Sequence, residues 1–101
     1  MIPAFDIRSP TEADDAALFE MVAEFATSFS PDQPSFTRSL SSLIGDDDVT
    51  LLCAYSESRM CGYVLAFTHN TFFANGPVTW VEEMYEALGY EESAVYYRHI
   101  L

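Results

Sequence analysis

Two long apolar segments on either side of a short polar turn limit most strongly how this chain can fold. The segments are residues 49–55 and 60–68, and residues 56–59 lie between them. Runs rich in Val, Leu, Tyr and Phe that are bounded by a turn are typical of a β-hairpin. Because the apolar residues are nearly continuous, we expect the hairpin to be covered on both faces.

The residues before the hairpin predict a short strand and two helices. Residues 5–8 alternate between apolar and polar and indicate the strand. Thr11 and Asp14 have the spacing of a capping box, so the first helix is expected over 12–28. The second helix is expected to follow the break at residues 30–34. The apolar positions at helical spacing are Ala17, Leu18, Met21, Val22, Phe25 and Phe29 in the first helix, and Phe36, Leu40, Leu43 and Ile44 in the second, which ends at Gly45.

The residues after the hairpin predict a third apolar strand and then an unusually abrupt ending. The strand is expected over 77–84, and residues 85–88 directly after it have the pattern of the last turn of a helix that stops at Gly89. A final strand is expected over 94–97. The element order predicts one α+β domain over residues 1–101, with a mostly antiparallel sheet and two N-terminal helices over it.

The charge of the chain excludes some partners and favours others. It has 16 acidic residues, four Arg and no Lys, and a net charge of −12. This charge argues against binding to nucleic acid or to an anionic membrane, and it favours a cationic ligand or a basic partner. Without a signal peptide pattern or an apolar run of about 20 residues, the default expectation is a cytoplasmic protein. Cys53 and Cys61 are expected to be buried thiols on facing strands, with a disulfide as the alternative.

Candidate site residues cluster around the third strand. Glu82 and Glu83 end it, and strict alternation would place their carboxylates on opposite faces. His69 is a weaker candidate base, expected in a loop. The aromatic residues Phe72, Phe73 and Trp80 are expected either to form the wall of an amine site or to lie in the core. The sequence has no Ser-His-Asp set or zinc-ligand spacing, and the Asp46–Asp48 run lacks the ligand spacing of a calcium loop, so no metal is expected.

Taken in order, these elements resemble the GNAT family of N-acetyltransferases. The resemblance covers residues 7–14, the paired segments 51–55 and 60–64, and residues 80–90. It implies transfer of an acetyl group from acetyl-CoA to an amine. In this family a carboxylate removes the amine proton and a tyrosine protonates the leaving thiolate. The matching positions here are Glu82, or alternatively Glu83, for the base and Tyr85 for the acid.

The chain departs from the family pattern directly after the strand expected over residues 77–84. Family members have an (Arg/Gln)-x-x-Gly-x-(Gly/Ala) loop there, whose backbone N–H groups hold the pyrophosphate of coenzyme A. This chain has no two glycines two residues apart and no Arg between Arg59 and Arg98. We therefore interpret it as internally truncated near residues 84–86, and expect poor acetyl-CoA affinity and no detectable transfer.

Two further expectations follow from this truncation. The alternative function is a non-catalytic interaction or ligand-binding module that reuses part of the GNAT fold. Loss of the second half of the sheet would also expose the strand that carries Trp80, so self-association as a homodimer is expected. The alternative expectations are that residues 94–97 fill the gap within one chain or are exchanged in a domain swap.

Overall fold

In the computed structural model, residues 5–26 and 30–86 are described, and they form two helices packed on an antiparallel sheet. The elements in chain order are β1 (Asp6–Arg8), a 3-10 turn (Glu12–Asp14), α1 (Asp15–Phe25), α2 (Gln33–Ile44), β2 (Val49–Ser56), β3 (Arg59–Thr71) and β4 (Gly76–Glu86). The sheet has four strands in the order β1-β2-β3-β4, with every neighbouring pair antiparallel. The predicted α+β class is confirmed. The strand expected over 94–97 lies outside the described residues.

β3 and β4 are longer than the sequence predicted. His69 was expected in a loop, but it lies in β3 opposite Val78, and the turn between β3 and β4 covers only residues 72–75. At its other end β4 continues through Tyr85 and Glu86, which pairs with Gly62. Tyr85 is therefore part of a strand, and the helical pattern proposed to begin there is wrong at this residue.

The turn between β2 and β3 places two non-glycine residues in the left-handed region. Glu57 has φ 53° and Ser58 has φ 67°. A two-residue hairpin turn with positive φ at both positions matches the right-handed twist of the strands. Just beyond it, Cys61 has no partner on β2, because Gly62 pairs with Ala54 and Met60 pairs with Tyr55.

Side-chain caps start the 3-10 turn that leads into α1, and α2 itself. The Thr11 hydroxyl accepts a hydrogen bond from the Ala13 N–H (3.2 Å), and the Asp14 carboxylate accepts one from the Thr11 N–H (2.8 Å), which confirms the predicted capping box. The Asp32 carboxylate accepts a hydrogen bond from the Ser35 N–H (3.0 Å) and starts α2 at Gln33. Pro34 is accepted there because N–H groups in the first turn have no intrahelical partner.

The two helices cover one face of the sheet. Leu18 and Met21 of α1 and Leu40 of α2 are buried, and they form the core with side chains from β2 and β3: Leu51, Cys53, Tyr55, Met60, Tyr63 and Leu65. A polar seam joins the helices, since Asp15 accepts hydrogen bonds from Gln33 (2.7 Å) and Thr37 (2.8 Å). Burial and this seam together fix the gap between α1, α2 and the sheet.

The opposite face of the sheet is apolar and more exposed. Its residues include Ile7, which is 58% exposed, and the half-buried Leu52, Val64 and Met84. None of the helices formed by residues 5–26 and 30–86 packs on this face. The expectation that the hairpin is covered on both faces is therefore not met within the part of the chain that the structure describes.

Candidate functional site

A β-bulge in β4 determines where its carboxylates point. Leu65 pairs with Glu83 and Ala66 pairs with Val81, so Glu82 has no partner on β3. A bulge of this kind interrupts the alternation of side chains between the two faces. Glu83 lies opposite Leu65, on the helix-covered face. The prediction from strict alternation missed this bulge.

Glu83 is half-buried and hydrogen-bonded to a core tyrosine. The Tyr63 hydroxyl donates a hydrogen bond to Glu83 Oε1 over 2.7 Å, and Tyr63 is only 5% exposed. Burial raises the pKa of Tyr63, and the bond to Glu83 raises it further. The phenol therefore stays protonated and acts as a donor. A carboxylate has about four acceptor sites, so Glu83 keeps capacity for a second donor.

A cavity of about 120 Å³ lies between the helices and the sheet, with Glu83 and Tyr63 in its wall. Exposed Ser39 of α2 connects the cavity lining to the surface. The remaining lining residues are all apolar: Leu18, Val22, Phe36, Leu40, Leu43, Leu51 and Leu65. The site thus combines one carboxylate with an apolar chamber.

Tyr85 lies on the same face as Glu83, opposite Tyr63. Its hydroxyl donates to Glu24 Oε2 of α1 over 3.3 Å, and its ring centroid is 5.3 Å from that of Phe25. Phe25 also makes an edge-to-face contact with Tyr63, with centroids 6.3 Å apart. These aromatic contacts hold the end of β4 against α1. Whether Tyr85 acts as an acid remains a prediction.

The other sequence candidates lie away from this cavity. Glu82 is exposed at the bulge, and His69 is exposed on β3. Phe72, Phe73 and Trp80 are 101%, 83% and 62% exposed, so the expectation of core aromatic residues is wrong. None of these five residues lines the cavity at Glu83.

The two cysteines are free thiols and do not suggest a nucleophile. Cys53 is 1% exposed, and burial raises its pKa to about 11. Cys61 is half-buried, and its Sγ donates to the Ala54 carbonyl over 3.4 Å. A thiol with a raised pKa carries little thiolate near neutral pH, and the thiolate is the reactive form.

The end of β4 does not fit the pyrophosphate of coenzyme A. Residues 83–86 remain paired with β3, so their backbone does not open into a helix N-terminus that could hold an anion. Glu82, Glu83 and Glu86 bring negative charge to this stretch. Arg8, the basic residue of β1, pairs with Asp14 at 3.3 Å and lies 4.0 Å above the Tyr55 ring.

Residues 5–26 and 30–86 contain neither a metal-binding cluster nor a membrane-spanning helix. No three His, Cys, Asp or Glu side chains within 5–26 and 30–86 come together to hold a metal ion. Within the same ranges, neither helix is long and apolar enough to cross a bilayer.

Sequence reasoning missed Tyr63, Glu24 and Ser39 as parts of this site. Tyr63 and Glu83 are 20 residues apart, and only the strand register brings them together. Glu24 and Ser39 lie on the two helices, and their positions depend on helix–sheet packing. The one available signal was Tyr63 itself, a polar-tipped residue within an apolar strand, since a buried tyrosine hydroxyl usually has a partner.

Comparison with known proteins gave matches in structure only. No family model matches the sequence, and neither does any curated protein sequence. A possible acetyltransferase from Clostridium difficile 630 matches with a TM-score of 0.75 and 13% identity, over 95% of this chain and 66% of that chain. A GNAT family acetyltransferase from Staphylococcus aureus matches with 0.70 and 13%, over 96% and 76%. AAC(6')-Iy in complex with the bisubstrate analogue CoA-S-monomethyl-acetylneamine matches with 0.74 and 14%, over 96% and 67%.

These matches establish the class of fold. The chain has the GNAT acetyltransferase fold in a shortened form, as the sequence resemblance implied. It spans about two thirds of the length of the Clostridium difficile chain. At 13 to 14% identity the likeness concerns the fold and not the substrate, because one fold supports many functions.

Proposed function

We propose that this chain is a shortened N-acetyltransferase domain that retains the site where the amine binds and loses its proton. The reaction class is acetyl transfer from acetyl-CoA to an amine, in keeping with the fold. The observation that carries the proposal is the Glu83 carboxylate, half-buried, hydrogen-bonded to Tyr63 and facing an apolar cavity under α1 and α2.

Glu83 is proposed as the base. An alkyl amine with a pKa near that of lysine, about 10.4, is an ammonium ion at pH 7 and must lose a proton before it can attack a carbonyl. A carboxylate within hydrogen-bond reach removes that proton directly or through one water. We prefer Glu83 to Glu82 because Glu82 is exposed at the bulge and does not line the cavity.

Binding of the acetyl donor, acetyl-CoA, is proposed to limit the rate of transfer. Because the end of β4 does not fit the pyrophosphate, we propose that acetyl-CoA binds this chain weakly. The missing glycine loop favours a second candidate function, a non-catalytic amine-binding module. Both candidates share the amine site and differ in whether any transfer occurs.

The test combines titration calorimetry with acetyl-CoA and a transfer assay over a panel of amines. We expect no binding heat and no detectable transfer at micromolar acetyl-CoA. Transfer at millimolar acetyl-CoA that Glu83→Gln abolishes, but Glu82→Gln retains, would support the enzyme. Amine binding without transfer at that concentration would support the binding module. Robust turnover at micromolar acetyl-CoA would mean that another segment or a second subunit supplies the donor site.

A further inference from the structure

We propose that the cavity beside Glu83 binds a small primary alkylammonium ion with an apolar body of about four carbons. This rests on the proposed function, because it names the class of amine that the same carboxylate would deprotonate. Binding can nevertheless be measured without acetyl-CoA, so the two proposals can fail separately.

The charge of the site selects a cation. Glu83 is the acidic residue in the cavity wall, and no Arg or His within residues 5–26 and 30–86 lines the cavity. Tyr63 donates to the carboxylate, so a bound ammonium group would supply a second donor to the same acceptor. An ionised donor on an ionised acceptor makes a stronger hydrogen bond than a neutral donor does. The net charge of −12 adds long-range attraction for a cation.

The apolar part of the cavity selects an alkyl body. Val22, Leu40 and Leu43 lie in its wall and provide no polar partner for a hydroxylated or charged substituent. A sugar-like amine would lose its hydrogen bonds to water there without replacement. An unbranched alkyl chain loses nothing and is removed from water.

The volume of the cavity sets the size of the ligand. It measures about 120 Å³. A dry cavity of about 150 Å³ is known to hold benzene, which places a benzyl group at or beyond the limit here. n-Butylammonium therefore fits, and benzylammonium does not.

The experiment is an amide chemical-shift titration of the full chain at pH 7, without acetyl-CoA. The probes are n-butylammonium chloride, n-butanol as its neutral analogue, and benzylammonium chloride. We expect n-butylammonium to bind in the millimolar range, with shifts at Tyr63, Glu83 and Leu40. It should bind at least tenfold more tightly than n-butanol, because a hydrogen bond between two charged groups is stronger than a neutral one, and than benzylammonium, because the ring is too large for the cavity.

Two variants with the same charge change test the role of Glu83. Glu83→Gln should weaken n-butylammonium binding by about 10- to 100-fold. Glu82→Gln removes an exposed carboxylate one residue away and should change it less than twofold. If Glu83→Gln does not fold, Leu43→Phe, which fills the cavity and keeps Glu83, should weaken binding at least fivefold.

Three results would each overturn the proposal: equal affinity for n-butylammonium and n-butanol, equal loss in the two Gln variants, or shifts that map away from the cavity. If n-butylammonium binds as described but is never acetylated, only the proposed transferase function fails. If another amine is acetylated while n-butylammonium does not bind, the transferase function stands and this inference fails.

Discussion

The hydroxyl of Tyr63 on β3 and the carboxylate of Glu83 on β4 are 2.7 Å apart. The two residues are not direct cross-strand partners, since Tyr63 pairs with Tyr85 and Glu83 pairs with Leu65. The bond therefore runs diagonally across the sheet. It holds the carboxylate at the edge of the cavity and fixes which oxygen remains for a ligand.

Removing the Tyr63 hydroxyl should free the Glu83 carboxylate from its hydrogen bond, while the ring that packs in the core is kept. We expect Tyr63→Phe to lower the free energy of unfolding by about 1–2 kcal/mol, because the bond to a charged acceptor is lost. It should also weaken n-butylammonium binding severalfold. Urea unfolding and the same chemical-shift titration measure both effects. Tyr85→Phe, which loses a longer bond to Glu24, is the comparison and should leave amine binding nearly unchanged.

Gly62 is required by the close approach of β4. A Cβ at this position would lie 2.9 Å from the Tyr85 carbonyl oxygen, which is backbone and cannot turn away. We expect Gly62→Ala to destabilise the fold by about 1–3 kcal/mol. Gly76→Ala, at the other end of the same strand pair, meets nothing within 4 Å and is the matched control. Equal unfolding midpoints for the two variants would contradict the contact.

The β2–β3 turn is expected to respond favourably to glycine. Ser58 has φ 67°, where a Cβ costs about 1–2 kcal/mol and glycine pays no such penalty. Ser58→Gly should therefore raise the free energy of unfolding by about 0.5–1 kcal/mol, after the greater entropy of glycine in the unfolded chain is included. Ser56→Gly, within β2, should lower it. Thermal unfolding followed by circular dichroism distinguishes the two.

Asp14 should contribute stability that depends on pH. The Thr11 N–H hydrogen bond and nearby Arg8 hold the pKa of Asp14 below its usual value. A carboxyl whose pKa is lower in the folded protein stabilises it above the unfolded pKa of about 4, and this contribution is lost as the pH falls below it. Asp14→Asn should thus cost on the order of 1 kcal/mol at pH 7 and almost nothing near pH 2. Glu20→Gln, at an exposed position on α1, is the control with the same charge change.

We propose that the chain self-associates through the strand that carries Trp80. β4 is the last strand of the sheet formed by the described residues, and Trp80 is 62% exposed. An exposed apolar edge strand is a template for pairing with another chain. Sedimentation at tens of micromolar should show a dimer, favoured by salt because screening reduces repulsion between acidic copies. Trp80→Glu should yield a monomer, and a monomeric parent chain would count against the proposal.

The sheet and helices could be predicted because their signals are local. Apolar runs gave β2, β3 and β4, and the capping box at Thr11 gave the start of the first helical segment. The candidate site was only partly predictable. The sequence indicated that Glu83 is an acidic residue at the end of a strand. The sheet face on which its side chain lies depends on a bulge that no residue type predicts. The exposure of Trp80 is a tertiary property, since aromatic residues in an apolar strand ordinarily indicate core.

The bulge at Glu82 acts as a frame shift in β4. Before it, the helix-covered face holds the even-numbered Val78 and Trp80, and after it the odd-numbered Glu83 and Tyr85. A deletion of Glu82 would leave Val81 and Glu83 opposite their present partners and keep both frames intact. A deletion on either side of the bulge that leaves the bulge in place would instead turn the residues beyond it to the other face. An alignment with a homologue therefore assigns the residues of this strand to the correct face only if it takes the bulge into account.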